Sequence, residues 1–353
     1  MRALKVLVVD DSATVRQALC GILAGIPGFA VTTAADPLFA LAKMERERPD
    51  VIVTDLEMPR MDGLAFLRQV MAVDPIPVIV CSAATGRGTQ AAVKALELGA
   101  VGIVTKPRLA IRQFLEESAV TLVDAIRGAA GARLAAPRGR ARGAVAAVTR
   151  PSSATPRAPH VLDTRQVLAL GASTGGTEAL RFVLEAMPPD CPGLVIVQHM
   201  PEGFTRAFAQ RLDELCAIEV KEASEGDRVV AGRALIAPGN RHLLLQRSGE
   251  GYIVRLESGP LVSRHRPSVD VLFGSVARAA GGRAVGALFT GMGRDGAEGL
   301  AKMRSAGAVT LAQDEASCVV FGMPKEAIAL GAVDEVVSLG EMPARLLARA
   351  RQV

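Results

Sequence analysis

The sequence predicts an α/β protein with two open parallel-sheet domains joined by a flexible linker. Its 353 residues, half of them hydrophobic, are enough for two domains that each bury a core. In both halves, short apolar runs alternate with helical stretches, as in βα repeats with a parallel sheet. A segment rich in Ala, Pro, Gly and Ser separates the halves. We therefore expect a first domain at residues 1–127, a linker at 128–162 and a second domain at 163–353.

The first half is predicted to fold as five βα units. Its apolar runs lie at residues 4–9, 29–33, 51–54, 76–81 and 101–104. Helical stretches lie between and after these runs, and the run at 29–33 is the weakest. Because ligands of such sheets gather at the carboxyl ends of the strands, the residues that follow each run are the candidates for a site.

Three carboxylates stand where predicted strands of the first half end, namely Asp10, Asp11 and Asp55. Acids at such turns are often solvated or cap the next helix. Three of them on neighbouring strand ends would repel one another unless a hard cation lay among them, and Mg²⁺ prefers carboxylates, water and phosphate oxygens. Ser82 and Lys106 follow two further runs and offer a hydroxyl group and a positive charge for a phosphoryl oxygen. Together they indicate a phosphoryl-accepting site.

The second half is predicted to form another open α/β sheet, with apolar runs at 167–170, 193–197 and 284–289. The first run enters GASTG, where Ser173 fits the G-x-S-x-G turn that lifts a serine hydroxyl clear of a sheet edge. The stretch lacks the Gly-Lys-Ser/Thr ending of a P-loop and the first G-x-G of a dinucleotide fingerprint, so a phosphate cradle is poorly supported. A small-residue turn without chemistry stays open as an alternative.

A catalytic serine needs a base, and the chain has four histidines. His160 lies in the linker, His242 opens the apolar run HLLLQ, and His265 lies in an arginine-flanked loop. His199 ends the predicted strand GLVIVQHM and would share a carboxyl edge with Ser173 if the strands are parallel. A structural histidine is the alternative, but two catalytic residue types on one edge favour catalysis.

Asp295 is the candidate for the acid that orients the base, because it lies in a glycine-rich turn after a strand ending at Phe289. Its alternative role is to cap the next helix. In catalysis it would hold the His199 tautomer and stabilise the imidazolium that forms as Ser173 gives up its proton. The order Ser, His, Asp differs from that of the α/β-hydrolases, chymotrypsin and subtilisin, so geometry must justify the triad. The turn TGMG also offers accessible backbone N–H groups for an oxyanion.

The net charge of +5 invites a nucleic-acid interpretation, but the charge is confined to the linker. Residues 128–162 hold six arginines and no acid, so the rest of the chain is close to neutral. This segment has no periodic apolar face and is predicted to be flexible, with a basic tail for nucleic acid as the open alternative.

Cysteine usage and the N-terminal sequence predict a cytoplasmic protein. The five cysteines have no C-x-x-C spacing, which favours reduced thiols over disulfides or a zinc site. The N-terminus MRALKVLVVDD turns acidic too early for a signal peptide, and no apolar run is long enough to span a bilayer, so we expect no membrane insertion.

The first half resembles a response-regulator receiver domain over about residues 3–127, since VVDDS, TDLEMPRMDG, CSA and TKP occur in that family's order and spacing. The resemblance implies that Asp55 accepts the phosphoryl group and that Mg²⁺ is the cofactor. The further roles that it implies are Asp10 and Asp11 as the acidic pocket, the Glu57 backbone carbonyl as a Mg²⁺ ligand beside Asp55, Ser82 as the switch hydroxyl and Lys106 as the phosphate-sensing lysine. Ile103 stands where an aromatic switch residue is usual, so the size of phospho-activation is open.

The second half, about residues 160–350, resembles the catalytic domain of the chemotaxis protein-glutamate methylesterase family. The motifs GASTGG, QHMP, APGN, TGMGRDGA and AQDEAS…GMP appear in family order. The resemblance implies Ser173 as nucleophile, His199 as general base and acid, and Asp295 as its orienting acid. It also points to the surroundings of Thr174 and Met292 as the oxyanion region.

The implied reaction is hydrolysis of γ-glutamyl methyl esters, and deamidation of glutamines, on the cytoplasmic helical region of chemoreceptors. It needs no cofactor for ester hydrolysis. The chemotaxis histidine kinase is the implied phosphodonor, and the unphosphorylated receiver is expected to cover the Ser173 face. Two other classes were weighed: a DNA-binding response regulator, which the near-neutral domains and the lack of a clear helix-turn-helix disfavour, and a non-catalytic adaptor, which the intact Ser173, His199 and Asp295 disfavour.

Overall fold

Two parallel sheets and one small antiparallel sheet make up the structure, a computed structural model that describes residues 2–84, 87–107, 112–134 and 166–352. The predicted fold class, with one open parallel α/β sheet in each half, is confirmed. None of the helices in these ranges combines the length and the apolar character that crossing a bilayer requires.

The first sheet has the strand order β2-β1-β3-β4-β5, and all neighbouring strands are parallel. Its elements are β1 (Leu4–Val9), α1 (Ala13–Ala24), β2 (Phe29–Ala34), α2 (Pro37–Arg46), β3 (Val51–Thr54), α3 (Gly63–Val73), β4 (Val78–Ser82), α4 (Arg87–Glu97), β5 (Gly102–Thr105) and α5 (Arg112–Ala130). The central strands are buried apolar runs, as expected for a sheet covered by helices on both faces.

The second parallel sheet has seven strands in the order β15-β14-β13-β6-β7-β10-β8. Its strands and helices are β6 (Val167–Ala172), α6 (Gly176–Glu185), β7 (Gly193–Gln198), α7 (Phe204–Leu215), β8 (Glu219–Glu222), β10 (Arg233–Ile236), α8 (Val269–Ala279), β13 (Ala284–Leu288), α9 (Ala297–Ser305), β14 (Val309–Gln313), α10 (Met323–Ala329), β15 (Glu335–Val337) and α11 (Met342–Ala350). The strands β13, β6 and β7 are neighbours, so their carboxyl ends lie side by side.

A three-stranded antiparallel sheet, which the sequence patterns did not predict, lies beside the second parallel sheet. It consists of β9 (Arg228–Val229), β11 (His242–Ser248) and β12 (Gly251–Glu257), in the order β11-β12-β9. Helix α8 packs on β11, where the Ser275 hydroxyl accepts a hydrogen bond from the Leu245 N–H.

The predicted linker differs from the structure at its start. Helix α5 continues to Ala130, and the residues after it lie against the second domain rather than free of it. The Arg133 N–H donates to the Val319 carbonyl at 2.8 Å, and the Arg133 guanidinium contacts Glu315 at 2.7 Å. Backbone pairing of this kind has no composition signal, which is why the sequence did not reveal it. The rest of the predicted linker, with five of its arginines, lies outside the described residues.

The two domains contact each other directly. Arg211 on α7 contacts Glu97 on α4 at 2.5 Å, and the Gly175 N–H donates to the Val101 carbonyl. Between them lies a cavity of about 950 Å³ whose lining includes Asp124 of α5 on one side and Ser173 and His199 on the other. The carboxyl edge of the second sheet therefore faces the first domain.

Candidate active site

Three strand ends bring the predicted triad residues together. Ser173 directly follows β6, His199 directly follows β7, and Asp295 lies in the turn after β13. The His199 N–H donates to the Ala172 carbonyl at 3.1 Å, and the Ser173 N–H donates to the Thr290 carbonyl at 3.0 Å. These bonds extend the sheet pairing by one residue past the strands, so they fix the backbone positions of Ser173 and His199 at one edge.

His199 and Asp295 form a buried hydrogen-bonded pair. The His199 Nε2 atom lies 2.7 Å from Asp295 Oδ2, and the two side chains are 6% and 1% exposed. The other ring nitrogen, Nδ1, is buried and has no hydrogen-bond partner among the described residues. The Asp-bound nitrogen is thus Nε2, the reverse of the chymotrypsin arrangement, in which Nδ1 faces the acid.

The Asp295 carboxylate is held by the first residues of α8 as well as by His199. It accepts hydrogen bonds from the Ser268 hydroxyl at 2.7 Å, the Val269 N–H at 2.7 Å and the Asp270 N–H at 3.1 Å. A carboxylate is favoured at a helix N-terminus because the free N–H groups and the helix dipole both attract it. Burial raises the pKa of Asp295, but the bonds from His199, Ser268 and Val269 outweigh burial and hold this pKa at about 2.

The turn after β6 is shaped by close backbone approach. The Ser173 carbonyl accepts from the Gly176 N–H at 2.7 Å and from Gln198 Nε2 at 2.9 Å. A Cβ at Gly291 would lie 2.6 Å from the Ser173 Cβ, so only glycine fits in the facing turn. Gly175 has a φ of +77°, which allows α6 to begin directly after the turn.

His265 is part of the site although the sequence patterns placed it only in an arginine-flanked loop. Its ring stacks on the His199 ring with centroids 3.7 Å apart and planes 12° apart. Burial and the neighbouring His199 charge lower the pKa of His265 to about 3, so this ring is neutral at neutral pH. No periodic pattern could have found this contact, because a tight turn between β12 and α8 creates it.

Thr174 and Met292, predicted to flank an oxyanion, line the cavity together with Ser173 and His199. The Thr290 hydroxyl donates to the Thr174 carbonyl at 2.9 Å and so ties the two turns to each other. Gly128 of α5 approaches the same place, since a Cβ at Gly128 would lie 2.9 Å from Thr174 Oγ1 and 3.4 Å from Met292 Cβ. The end of α5 thus covers the turn beside Ser173.

The acids of the first domain also converge. Oxygen atoms of Asp10, Asp11 and Asp55 lie within 4.8 Å of one another. Lys106 Nζ lies 3.0 Å from Asp10 Oδ2 and 2.8 Å from Asp55 Oδ2. Burial lowers the pKa of Lys106, but Asp55 and Asp10 outweigh burial and raise it, and burial raises the pKa of Asp10. Three converging carboxylates, one of them fully buried, are the hard oxygen donors that suit Mg²⁺.

The resemblance to receiver domains singles out three further residues of the first domain, namely Ser82, Ile103 and Glu57. Ser82 is buried at the end of β4, and its hydroxyl donates to the Gly88 carbonyl. Ile103 is 8% exposed on β5, so an aliphatic side chain fills the usual position of the aromatic switch. The Glu57 side chain is exposed, and the proposed role of its backbone carbonyl stays a prediction.

Comparisons with known proteins agree with both halves of this description. Residues 168–346 match the CheB methylesterase family, and residues 6–119 match the response regulator receiver domain family. A protein-glutamate methylesterase/protein-glutamine glutaminase of Anaeromyxobacter dehalogenans is 59% identical over 99% of this chain and 98% of its own length. A relative with the same name from Geobacter metallireducens is 56% identical over 98% of this chain and 99% of its own length.

The second half of the chain also resembles a solved structure. The CheB methylesterase catalytic domain of Thermotoga maritima is 36% identical, with a TM-score of 0.51, and the match covers 52% of this chain and 97% of that one. The family-model matches, the near-complete coverage of the relatives and the parallel-sheet folds all agree. The chain belongs to the CheB family of protein-glutamate methylesterases/protein-glutamine glutaminases, with a receiver domain ahead of the methylesterase domain.

Proposed function

We propose that this chain is a phosphorylation-regulated serine hydrolase that removes methyl esters from glutamyl side chains of chemoreceptors and deamidates glutamines at such sites. The observation that carries the proposal is the buried His199–Asp295 pair beside Ser173, at one edge of a methylesterase-family sheet. An activated serine accounts for acyl transfer, and the names of the relatives supply the substrate class.

Acylation begins as the Ser173 hydroxyl attacks the ester carbonyl carbon. His199 Nδ1, the ring nitrogen left free by the Asp295 bond, takes the hydroxyl proton. Asp295 keeps the proton of Nε2 in place and stabilises the imidazolium. His199 then returns the proton from Nδ1 to the departing methoxide, and methanol leaves from a glutamyl-serine ester.

Deacylation repeats these steps with water. His199 Nδ1 takes a proton from the water that attacks the glutamyl-serine carbonyl, and the proton passes to Ser173 Oγ as the ester bond breaks. The products are free Ser173 and a glutamic acid side chain, which releases its proton to solvent and becomes the carboxylate. With a glutamine substrate, the same steps release ammonia in place of methanol.

Backbone N–H groups near Thr174 and Met292 are proposed to hold the oxyanion. Each such donor is worth about 10²–10³ in rate when it is aimed at the developing charge. The neutral His265 ring closes one face of His199, so it excludes water and adds no positive charge that would oppose the imidazolium.

The receiver domain is proposed to accept a phosphoryl group on Asp55. Asp10, Asp11 and Asp55 would hold Mg²⁺ with the Glu57 carbonyl, and the metal would neutralise charge on the phosphoryl oxygens. Lys106 would contact a phosphoryl oxygen in place of its present Asp55 contact, and Ser82 would be the switch hydroxyl. The proposed phosphodonor is the chemotaxis histidine kinase, and the proposed location is the cytoplasm.

Phosphorylation is proposed to open the site. In the unphosphorylated form, the end of α5 lies over Thr174 and Met292, and this position blocks a protein substrate. Loss of the Lys106–Asp55 contact would change the conformation of β5 and α5, which form the face of the first domain that covers the site. A coupling of about 1–3 kcal/mol would give roughly 5–150-fold activation.

The test is methanol release from methylated receptor membranes by wild type and Ser173→Ala, with and without a small-molecule phosphodonor and Mg²⁺. We expect release by wild type to rise with phosphodonor and release by Ser173→Ala to be absent. Equal release from both proteins would remove Ser173 from the mechanism. If the phosphodonor does not change methanol release by wild type, the esterase activity is not controlled by phosphorylation of Asp55 as proposed.

A further inference from the structure

The turn that carries His265 also displays an arginine at the mouth of the cavity. Val262 and His265 pair through two backbone hydrogen bonds of 3.1 and 2.8 Å, so Ser263 and Arg264 form the tip of a two-residue hairpin. Both tip residues have positive φ, 50° and 69°, in a conformation that normally selects Asn and Gly. Such strain in non-glycine residues concentrates at functional sites.

The hairpin holds two neighbouring side chains in different surroundings. His265 is buried against His199, whereas the Arg264 side chain is 66% exposed and lines the cavity. Two other arginines of the cavity wall, Arg266 and Arg294, have partners within the second domain: Arg266 binds the Asn240 side chain, and Arg294 binds Glu298. The contact that the structure gives the Arg264 guanidinium is instead with the first domain.

That contact is with Asp124 on helix α5. Arg264 Nη1 lies 3.3 Å from Asp124 Oδ1, and the Asp124 side chain is 14% exposed. An ion pair whose arginine is largely exposed contributes little to holding two domains together. The domains also contact each other through the Arg211–Glu97 pair, the Gly175–Val101 hydrogen bond and the approach of Gly128 to Thr174, so the Arg264 contact is one of several between them.

Helix α5 lines the cavity that also holds Ser173 and His199. Asp124 and Gly128 are four residues apart, which places them on the same face of the helix, one turn from each other. At Gly128 the helix comes within 2.9 Å of Thr174 Oγ1, measured from the position of a Cβ, while Asp124 reaches Arg264. A helix in this place with a glutamyl ester at the Gly128 position would direct that side chain toward the Ser173 turn.

We infer that Arg264 is a substrate-binding residue that pairs with an acidic side chain within about one helical turn of the reacting glutamyl group. Asp124 occupies this place while the receiver covers the site, so α5 imitates the acidic substrate helix in charge as well as in position. The inference rests on the proposed function, because it identifies what the same site recognises in its substrate.

Two single variants separate this role from a simple contact between domains. Asp124→Asn and Arg264→Gln both break the ion pair, so a role confined to docking predicts the same result for both. We expect opposite results for methanol release from receptor membranes. Without phosphodonor, Asp124→Asn should raise release by up to about fivefold, the limit set by about 1 kcal/mol for an exposed pair.

With saturating phosphodonor and Mg²⁺, Asp124→Asn should match wild type, because the receiver no longer covers the site. Arg264→Gln should then lower kcat/KM by about three- to fivefold through KM, from the same range of ion-pair energies. Arg264→Lys should recover part of the loss, and added salt should narrow the difference from wild type because it screens exposed charges. Arg255→Gln, which removes a largely exposed arginine paired with Glu225, is the control and should match wild type.

Helical peptides give a second measurement. One carries a single glutamyl methyl ester in an alanine-rich sequence, and its partners carry an added glutamate four residues before or after the ester. Wild type with phosphodonor should prefer an acidic peptide, and Arg264→Gln should lose the preference while it hydrolyses the neutral peptide at the wild-type rate. Equal behaviour of Arg264→Gln and Asp124→Asn on receptor membranes would overturn the inference, whereas absence of methanol release by wild type would overturn the proposed function itself.

Discussion

Gly128 is a residue of α5 at which a single added side chain would disturb the contact between the two domains. A Cβ at this position would lie 2.9 Å from Thr174 Oγ1 and 3.4 Å from Met292 Cβ, which is already tighter than ordinary contact. Valine adds two further methyl groups, so we expect Gly128→Val to push α5 away from the turn beside Ser173. The substitution should therefore open the site without phosphorylation.

The magnitude follows from the cost of overpacking. Extra carbon atoms forced into a packed contact cost about 1–3 kcal/mol. If this cost falls on the closed form alone, the open fraction rises by roughly 5–150-fold, with the activity of the fully open enzyme as the upper limit. Methanol release from receptor membranes without phosphodonor should rise by this factor, and the further response to phosphodonor should shrink.

Gly21→Val is the matched control. Gly21 lies in helix α1 of the same domain, and a Cβ there would have no heavy atom within 4 Å. Both variants therefore place a β-branched residue in a receiver helix, but only Gly128→Val adds atoms at the domain contact. Basal methanol release that is the same for the two variants would refute the argument that α5 covers the Ser173 turn.

Three further predictions concern the catalytic and phosphorylation sites. Asp295→Asn should lower kcat by about 10⁴, as loss of the orienting carboxylate does in a serine protease. The lowered pKa of Asp295 should also give wild type about 2 kcal/mol of folding stability above pH 4, which is lost as the pH falls through about 2. Urea unfolding at pH 2 and pH 5 should therefore differ less for Asp295→Asn than for wild type. His265→Phe should keep kcat/KM within about threefold of wild type and leave the pH profile of kcat/KM unchanged. His265→Ala should lower kcat/KM by about 10–100-fold, because the His199 ring can then move. Equal losses of kcat/KM in the two variants would show that the imidazole itself is needed. Asp55→Asn should lose the response of methanol release to phosphodonor, and a full response would move the phosphoryl group to another residue.

Sequence reasoning placed several candidate site residues directly after strands, and the structure has them there. The acids Asp10 and Asp55 and the pair Ser173 and His199 each end an apolar run, and parallel strands bring such ends to one edge. The motif families then supplied the roles. The sequence could not show that His199 contacts Asp295 through Nε2 rather than Nδ1, because this choice depends on a side-chain rotamer that only packing decides.

The residues that sequence reasoning missed come from turns and helix ends. His265 reaches His199 through a hairpin between the antiparallel sheet and α8, and Ser268 reaches Asp295 as the N-cap of α8. Neither residue lies in a periodic apolar pattern, so the sequence does not indicate that it belongs to the site. Arg133 likewise lies in a segment whose composition predicts flexibility, and sequence reasoning did not reveal the hydrogen bond from its N–H to the Val319 carbonyl.

Strand order explains why both sites lie where they do. In the second sheet the chain runs from β6 outward through β7 and returns to the other side of β6 with β13, so the order reverses at β6. The crevice outside such a reversal is where open α/β sheets bind ligands, and Ser173 stands there between the strands that carry His199 and Asp295. The first sheet reverses between β1 and β3, which carry Asp10 and Asp55. The proposed triad, whose order along the chain matches no familiar hydrolase, thus follows from the same topological rule as the proposed acidic pocket of the receiver, because strand order, and not chain order, sets which residues meet.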